Sequence, residues 1–475
     1  MNTWGTFVDT VSRLSERGKE FNRRTRSVRR RLALFLAVVG PGLITSNVDN
    51  DAGGISTYTA AGAQFGYALL WSLIPMTIAL YVSEEMCARM GVITGKGLSD
   101  LIREEFGFRS TFFVMIAALF IDLFNTVAEF SGIAEGGQVL GISRFVSVPL
   151  AAIAVWLLVV YGTYRIVEKI FLVACAFYLS YVVSAILAKP DWIYAAKQTV
   201  VPNVQMNAPY LLMLIGLVGT TIAPWQFFYL QAGFVEKRVA ARQYKHARLD
   251  VLVGSISCMV IVFFIIICCA ATLNRNGMTN ISSAAEAAKA LIPLVSAFGS
   301  ARAGQLAGWL FALGLLNASL FAASILPLST AHVICEGLGF EAGLDRKFKE
   351  APTFYSLYTL LILVGAGIVL VPRAPLWKIL LYSQVGNGIW LPVVLIFILL
   401  LINRRDLMGE HVNGWTFNLI AWGSSIIMII LTLVLMYVAI FEPSAAGLSG
   451  SLRHPHPLEA FAALWRHAHR ALSVL

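Results

Sequence analysis

Apolar runs of membrane-spanning length follow one another at roughly 32–61, 64–88, 111–136, 146–163, 166–188, 209–235, 250–273, 304–335, 353–372, 376–402 and 415–441. About 20 apolar residues suffice to cross a bilayer core as a helix. The pattern therefore predicts eleven helical spans joined by short polar loops. Two of the runs are interrupted at their centres. The first reads Thr45-Ser-Asn-Val-Asp-Asn-Asp-Ala-Gly-Gly54, and the sixth carries Gly219, Thr220, Thr221 and Pro224. Proline removes a backbone donor and clashes with the preceding turn, so the sixth helix is expected to break or kink there.

A charge at bilayer depth costs about 3 kcal/mol or more unless it is paired, solvated or bound to a cation. Backbone that leaves the helix at that depth persists only where it is buried in protein or lines a cavity. Two interrupted spans, five helices apart, predict an inverted repeat of spans 1–5 and 6–10, with a binding site between the two breaks and span 11 as an addition. The carbonyls freed near residues 50–53 and 219–222 can then face a cation. Within this frame Asp51 is the expected ligand. Asp49 supports it or caps the break, and Asn47 and Asn50 offer amide oxygens or satisfy broken backbone. Thr220 and Thr221 offer carbonyls or hydroxyls, and Gln384 and Asn387 on the tenth span face the site. Trp225 is expected to pack at the break. Asp122 and Glu135, near the ends of span 3, are expected to face water. His246 and His411 are expected to be solvated in loops, and His332 has no evident ligand partner.

Composition agrees with this picture. Hydrophobic residues make up 58% of the 475 and charged residues 13%, far from the soluble average. The six cysteines fall inside or at the edge of apolar runs without CxxC spacing, and read as small apolar side chains. The net charge of +10 is explained by loop asymmetry, so no nucleic-acid partner is implied. Arg23, Arg24, Arg26, Arg29, Arg30 and Arg31 precede the first span, and further clusters follow spans 2, 4, 6, 8 and 10. The positive-inside rule places the N-terminus in the cytoplasm and the C-terminus outside, in a plasma (cell inner) membrane. Residues 1–31 form a basic cytoplasmic segment with no cleavable signal, 32–441 the membrane domain (repeats of about 32–188 and 209–402, extra helix about 415–441), and 442–475 an extracytoplasmic tail. Its four histidines, His454, His456, His467 and His469, read as solvated. No HExxH, GxSxG or P-loop is present, so an enzyme is not expected.

The first span, Gly40-Pro-Gly…Asp51-Ala-Gly-Gly54…Ala61-Gly-Ala-Gln-Phe-Gly-Tyr67, resembles the first-helix signature of the NRAMP divalent-metal transporters. Gly219-Thr-Thr-Ile-Ala-Pro-Trp225, Glu336-Gly337, Ser383-Gln384-Val385, Leu391-Pro392 and Met408-Gly409-Glu410 fit the same family. The resemblance implies an all-α polytopic fold with a LeuT-like inverted repeat. It implies a site formed by Asp51, Ala52, Gly54, Thr220, Thr221 and Ala223, and a metal that is substrate and not cofactor. A monomer in the lipid bilayer is expected. The departures from the family pattern are informative. The family's Asn is Gly54 here, its Met is Ala223, its helix-6 His is Trp225, and its helix-3 Asp is Thr126, leaving Glu129 as the residual proton-path position. Thioether sulfur suits softer transition metals, whereas Mg2+ keeps several waters and binds through one or two carboxylates. The resemblance therefore points to the magnesium-transporting branch, carrying Mg2+ (also Mn2+) partly hydrated and without proton coupling. The rival readings are a proton-coupled Mn2+/Fe2+ symporter and a sodium-coupled amino-acid carrier.

Overall fold

A computed structural model describes residues 41–161, 179–205, 207–292, 303–344, 346–372 and 374–441. The N-terminal segment 1–31, the tail 442–475 with its histidines, most of the fifth span and the side chain of Asn47 lie outside the described residues. The described residues are helical, without strands.

The first span is two helices, α1 (Pro41–Val48) and α2 (Ala52–Phe65). Then come α3 (Leu73–Thr94), α4 (Leu98–Val139), α5 (Arg144–Tyr161), α6 (Leu179–Leu187) and a short connecting helix, α7 (Trp192–Val200). The sixth span is again two helices, α8 (Ala208–Thr221) and α9 (Pro224–Glu236). The remainder is α10 (Tyr244–Thr272), α11 (Ala284–Ala287), α12 (Ala303–Leu338), α13 (Pro352–Val369), α14 (Leu376–Ile402), α15 (Arg405–Met408) and α16 (Trp415–Phe441).

Eight helical stretches among the described residues are long and apolar enough to cross a membrane by themselves. The other expected spans fall short for identifiable reasons. Of the first, residues 32–40 lie outside the described residues, and the rest is divided between α1 and the 14-residue α2. The second, α3, carries Glu84, Glu85 and Arg89 in its buried half, and only the end of the fifth is described. The third runs far beyond the expected 111–136. It begins at Leu98, and its first turns bend at Gly107, whose φ of +77° is a left-handed conformation that suits glycine. Those first turns (LSDLIREEFGFRS) are polar enough to hide from an apolar-run reading.

The two breaks lie side by side. α1 packs on α10 and α9, while α2 packs on α10, α14 and α8. An apolar cluster of Ile44, Val48, Ala223, Trp225, Phe321, Ala322, Ile325 and Leu326 joins the end of α1 and the start of α9 to α12. Trp225 packs there, as expected, and its carbonyl accepts a hydrogen bond from Ser329 Oγ at 2.8 Å. Apolar side chains such as Phe120, Leu150, Leu363 and Ile427 point outward, as lipid-facing positions require.

Among the described glycines, the least room for a Cβ against another helix's backbone is between α8 and α14. A Cβ on Gly219 would run into the Gln384 carbonyl and the Gly388 amide, and one on Gly388 would meet the Ile215 carbonyl at 2.7 Å. Gly216, one turn away, has only ordinary 3.7 Å contacts. We expect Gly219→Ala to destabilise the protein by about 1–3 kcal/mol, the cost of overpacking, and Gly216→Ala to leave it unchanged. Thermal unfolding followed by size-exclusion fluorescence checks the pair.

Candidate functional site

Asp51 is both a charge at the break and the cap of α2. Its backbone is extended, and its Oδ1 accepts from Gly54 N at 2.5 Å. A capping carboxylate satisfies an orphan donor and meets the positive end of the helix dipole. The next donor, Ala52 N, reaches Glu129 Oε2 at 3.3 Å. Glu129 Oε1 is buried without a hydrogen-bond partner. Two buried carboxylates thus take amides of the first turn of α2, Asp51 at Gly54 N and Glu129 at Ala52 N.

Three oxygens converge over Gly54. A Cβ placed there would collide with the Asp49 carbonyl oxygen, and would lie 3.1 Å from Thr220 Oγ1 and 3.2 Å from Asp51 Oδ1. Thr220 Oγ1 is buried without a hydrogen-bond partner. The loss of a side chain at position 54 leaves no void, because backbone and hydroxyl oxygens close in on the space. Thr221 faces the other way. Its hydroxyl donates to Leu217 O at 2.7 Å and lies 3.3 Å from Tyr58 Oη, which donates to Asp49 O at 3.2 Å. Ala223 is the N-cap of α9 and cannot cap through its side chain. Gln226 does so instead. With its amide nitrogen turned toward Asp49, as the hydrogen bonding requires, it donates to Asp49 Oδ2 and Oδ1 at 2.8 and 2.9 Å and accepts from Ala223 N at 3.0 Å. One amide thus ties the two breaks together.

Gln384 lies against the start of α2, where a Cβ on Gly53 would collide with its Nε2. Its Oε1 accepts from Asn387 Nδ2 at 2.9 Å, and Asn387 Oδ1 accepts from Asn125 Nδ2 at 2.8 Å. Gln384 and Asn387 therefore meet α2 and α4 as a relay of amides. Asn50 turns toward α10, with Nδ2 3.7 Å from Cys258 Sγ and Oδ1 unpartnered. Behind α1, the hydroxyls of Ser46 and Ser255 each lie 2.8 Å from Glu84 Oε2, and Asp250 Oδ2 accepts from Gly42 N at 2.8 Å.

The structure thus brings Asp49, Asp51, Ala52, Gly54, Thr220, Glu129 and Gln384 together, with Ala223, Thr221 and Asn387 one contact behind and Asn50 turned away. Sequence reasoning missed Tyr58, Asn125, Gln226 and Glu84. Their signal was present: each is a polar side chain inside an apolar run. Asp122 is a correction. It is buried and accepts from Thr330 Oγ1 at 3.1 Å, because α12 covers the face of α4 expected to meet water. Glu135 is half-buried, accepting from Ala284 N at 3.0 Å. His332 is a second correction, since it stands between Glu236 and Glu336. Among the described residues no three His, Cys, Asp or Glu side chains are placed to hold an ion by themselves. An ion at the breaks must draw on carbonyl, hydroxyl and amide oxygen, the donor set of hard cations.

Residues 42–438 match the family model described as natural resistance-associated macrophage protein-like. A protein named divalent metal cation transporter MntH from Deinococcus radiodurans is 28% identical over 427 residues, covering 87% of this chain and 91% of that protein. One of the same name from Burkholderia ambifaria is 25% identical over 424 residues, covering 86% and 90%. The solved structure of the Eremococcus coleocola manganese transporter superposes with a TM-score of 0.72 at 21% identity, covering 92% of both chains. MhsT, solved with L-phenylalanine, superposes with a TM-score of 0.51 at 14% identity, covering 84% of this chain and 98% of that one. These superpositions bear out the expected LeuT-like inverted repeat with broken first and sixth helices.

Removing the hydroxyl of Tyr58 takes one donor from the Asp49 carbonyl. We expect Tyr58→Phe to lower stability by about 1 kcal/mol, the usual net worth of a hydrogen bond, which chemical denaturation of the purified protein measures.

Proposed function

This chain belongs to the natural resistance-associated macrophage protein-like family, and from that premise we propose that it transports divalent metal ions across the membrane and is selective for Mg2+, with Mn2+ also carried. The chain is not an enzyme, and the metal is its substrate. The observation that supports the magnesium reading is the oxygen-only cradle of Asp51 Oδ1, Asp49 O and Thr220 Oγ1 over Gly54, with alanine at position 223 where the family pattern has a thioether. Mg2+ dehydrates reluctantly and needs few protein ligands. A cradle with one carboxylate, a carbonyl and a hydroxyl suits an ion that brings its own water.

Uptake on this reading is downhill. For a divalent ion, 100 mV inside-negative supplies about 4.6 kcal/mol, twice the single-charge value. A proton route needs a chain of titratable groups, and beyond Glu129 the chain thins out. Thr126 replaces an acid, its hydroxyl donating to Asp122 O at 2.8 Å, and α13 carries no charged side chain. On this reading the N-terminus lies in the cytoplasm and the C-terminus outside, in a plasma (cell inner) membrane, with the positive loops in support, and the protein acts as a monomer.

A second reading, proton-coupled Mn2+/Fe2+ symport, is favoured by Glu129, a buried carboxylate on the Ala52 amide beside Asp51 whose Oε1 has no hydrogen-bond partner. Liposomes loaded with metal- and pH-sensitive dyes separate the two. We expect saturable Mg2+ uptake without luminal acidification, lost on Asp51→Ala and retained on Glu129→Gln. Manganese uptake with acidification, abolished by Glu129→Gln, is the symporter's outcome and sinks the magnesium reading. Restoring a soft ligand with Ala223→Met is expected to shift preference from Mg2+ toward Mn2+, read as the ratio of the two initial rates.

A further inference from the structure

Between α6 and α8 the chain forms a helix too short to span a bilayer. α7 holds 9 residues, Trp192–Val200. Pro190 stands before its cap, Asp191 Oδ1 accepts from Tyr194 N at 2.9 Å, and Pro202 follows its end. A capped start and a proline beyond the end bound a helix of its own. At about 100° per residue, its side chains sort into three faces. Ala195 is buried and Thr199 half-buried, and the helix packs on the turn Leu70–Ser72 that joins α2 to α3. Tyr194 and Lys197 lie on a polar side. Trp192, Ile193, Ala196 and Val200 share an arc of about 100° and are exposed, Ile193 by 86% and Val200 by 72%. A surface helix in water needs one apolar face against the core and one polar face outward. An open apolar face between them calls for another medium.

The surroundings identify that medium. Trp192 meets Phe264 of α10 edge to face, with ring centroids 6.3 Å apart. Phe264 continues the exposed apolar stripe of Val253, Ile256 and Val260 on α10. It stands about 30 Å along that helix from Tyr244 in the basic first turn, at about 1.5 Å per residue, a distance equal to the depth of a bilayer's hydrocarbon core. On the other side, Val183 and Ile186 of α6 are exposed as well. The open face of α7 is thus continuous with the lipid-facing sides of two spans. We propose that α7 is an interfacial helix, its apolar face seated at the headgroup–acyl boundary of the phospholipid leaflet away from the basic loops, with Lys197 reaching the phosphates. Tryptophan at that level and a cation flanking the apolar arc are what an interfacial helix uses. Tyr194 in turn meets Tyr67, ring centroids 5.8 Å apart, just past the Gly66 cap of α2. The membrane surface thereby steadies the outer end of the half-helix whose inner end carries the Asp51 cap.

The test places one nitroxide at a time on the full chain, through Ile193→Cys, Val200→Cys or Lys197→Cys, in liposomes of phosphatidylcholine and phosphatidylglycerol. All three positions are exposed, and the described native cysteines are buried, so the chain without an added cysteine sets the labelling background. Power-saturation electron paramagnetic resonance compares collisions with oxygen, which concentrates in lipid, and with a water-soluble nickel chelate. Labels at 193 and 200 are expected to favour oxygen, and the label at 197 to favour nickel. Nickel contact at 193 and 200 equal to that at 197 overturns the proposal. So does shielding of 193 and 200 from both reagents, the result of a second copy of this chain covering the face. Elution of each labelled chain at the volume of the unmodified one checks folding, and Ala196→Cys reads the same face where either apolar position fails that check. The outcome does not depend on which ion is carried.

Discussion

The rest of the structure depends on how backbone and charge freed inside an apolar bundle find partners. A helix end leaves several donors or acceptors without intrahelical bonds, and an unsatisfied buried polar group costs about 1–3 kcal/mol. Here four helix ends meet at one depth. Asp51 answers the start of α2, Glu129 takes the next amide, and Gln226 answers the start of α9. Each of these caps is a side chain that also faces the break, so the groups that make the fold tolerable are the ones an ion would contact. Stability and binding draw on the same oxygens.

That sharing explains why the site reads as it does. Asp51 Oδ1 both caps Gly54 N and faces the space over Gly54. Asp49 divides its labour differently, its carboxylate held by Gln226 and its carbonyl turned toward Tyr58 and Gly54. Thr220 Oγ1 holds an oxygen in reserve, as do Glu129 Oε1 and Asn50 Oδ1. At the far end of α9 the acids are again enclosed, Glu236 and Glu336 pairing with His332 and Glu236 also taking the Leu344 amide.

Much of the fold was legible because lipid imposes a strong pattern. The tenth run, 376–402, coincides with Leu376–Ile402, and the sixth breaks between Thr221 and Pro224 where its threonines and proline foretold. The polar first turns of α4 were missed because apolar periodicity is silent where a helix leaves the bilayer. Asp51, Asp49 and Gln384 stood out as polar residues in apolar surroundings. Tyr58 and Gln226 carry the same signal, but their roles come from neighbours distant in the chain. Asp122 was misplaced for the same reason: only the packing of α12 on α4 reveals that its face is covered. The effect of Gly54 also depended on packing, since a missing side chain says nothing of what fills its place.

The glycine contact between α8 and α14 leaves no clearance for one helix to slide along the other. Close-packed interiors shift between discrete arrangements and do not deform continuously. Sliding of α8 along α14 would drive Gly219 and Gly388 into backbone, so two absent methyl groups, one of them a residue from the Thr220 hydroxyl at the break, couple the two helices.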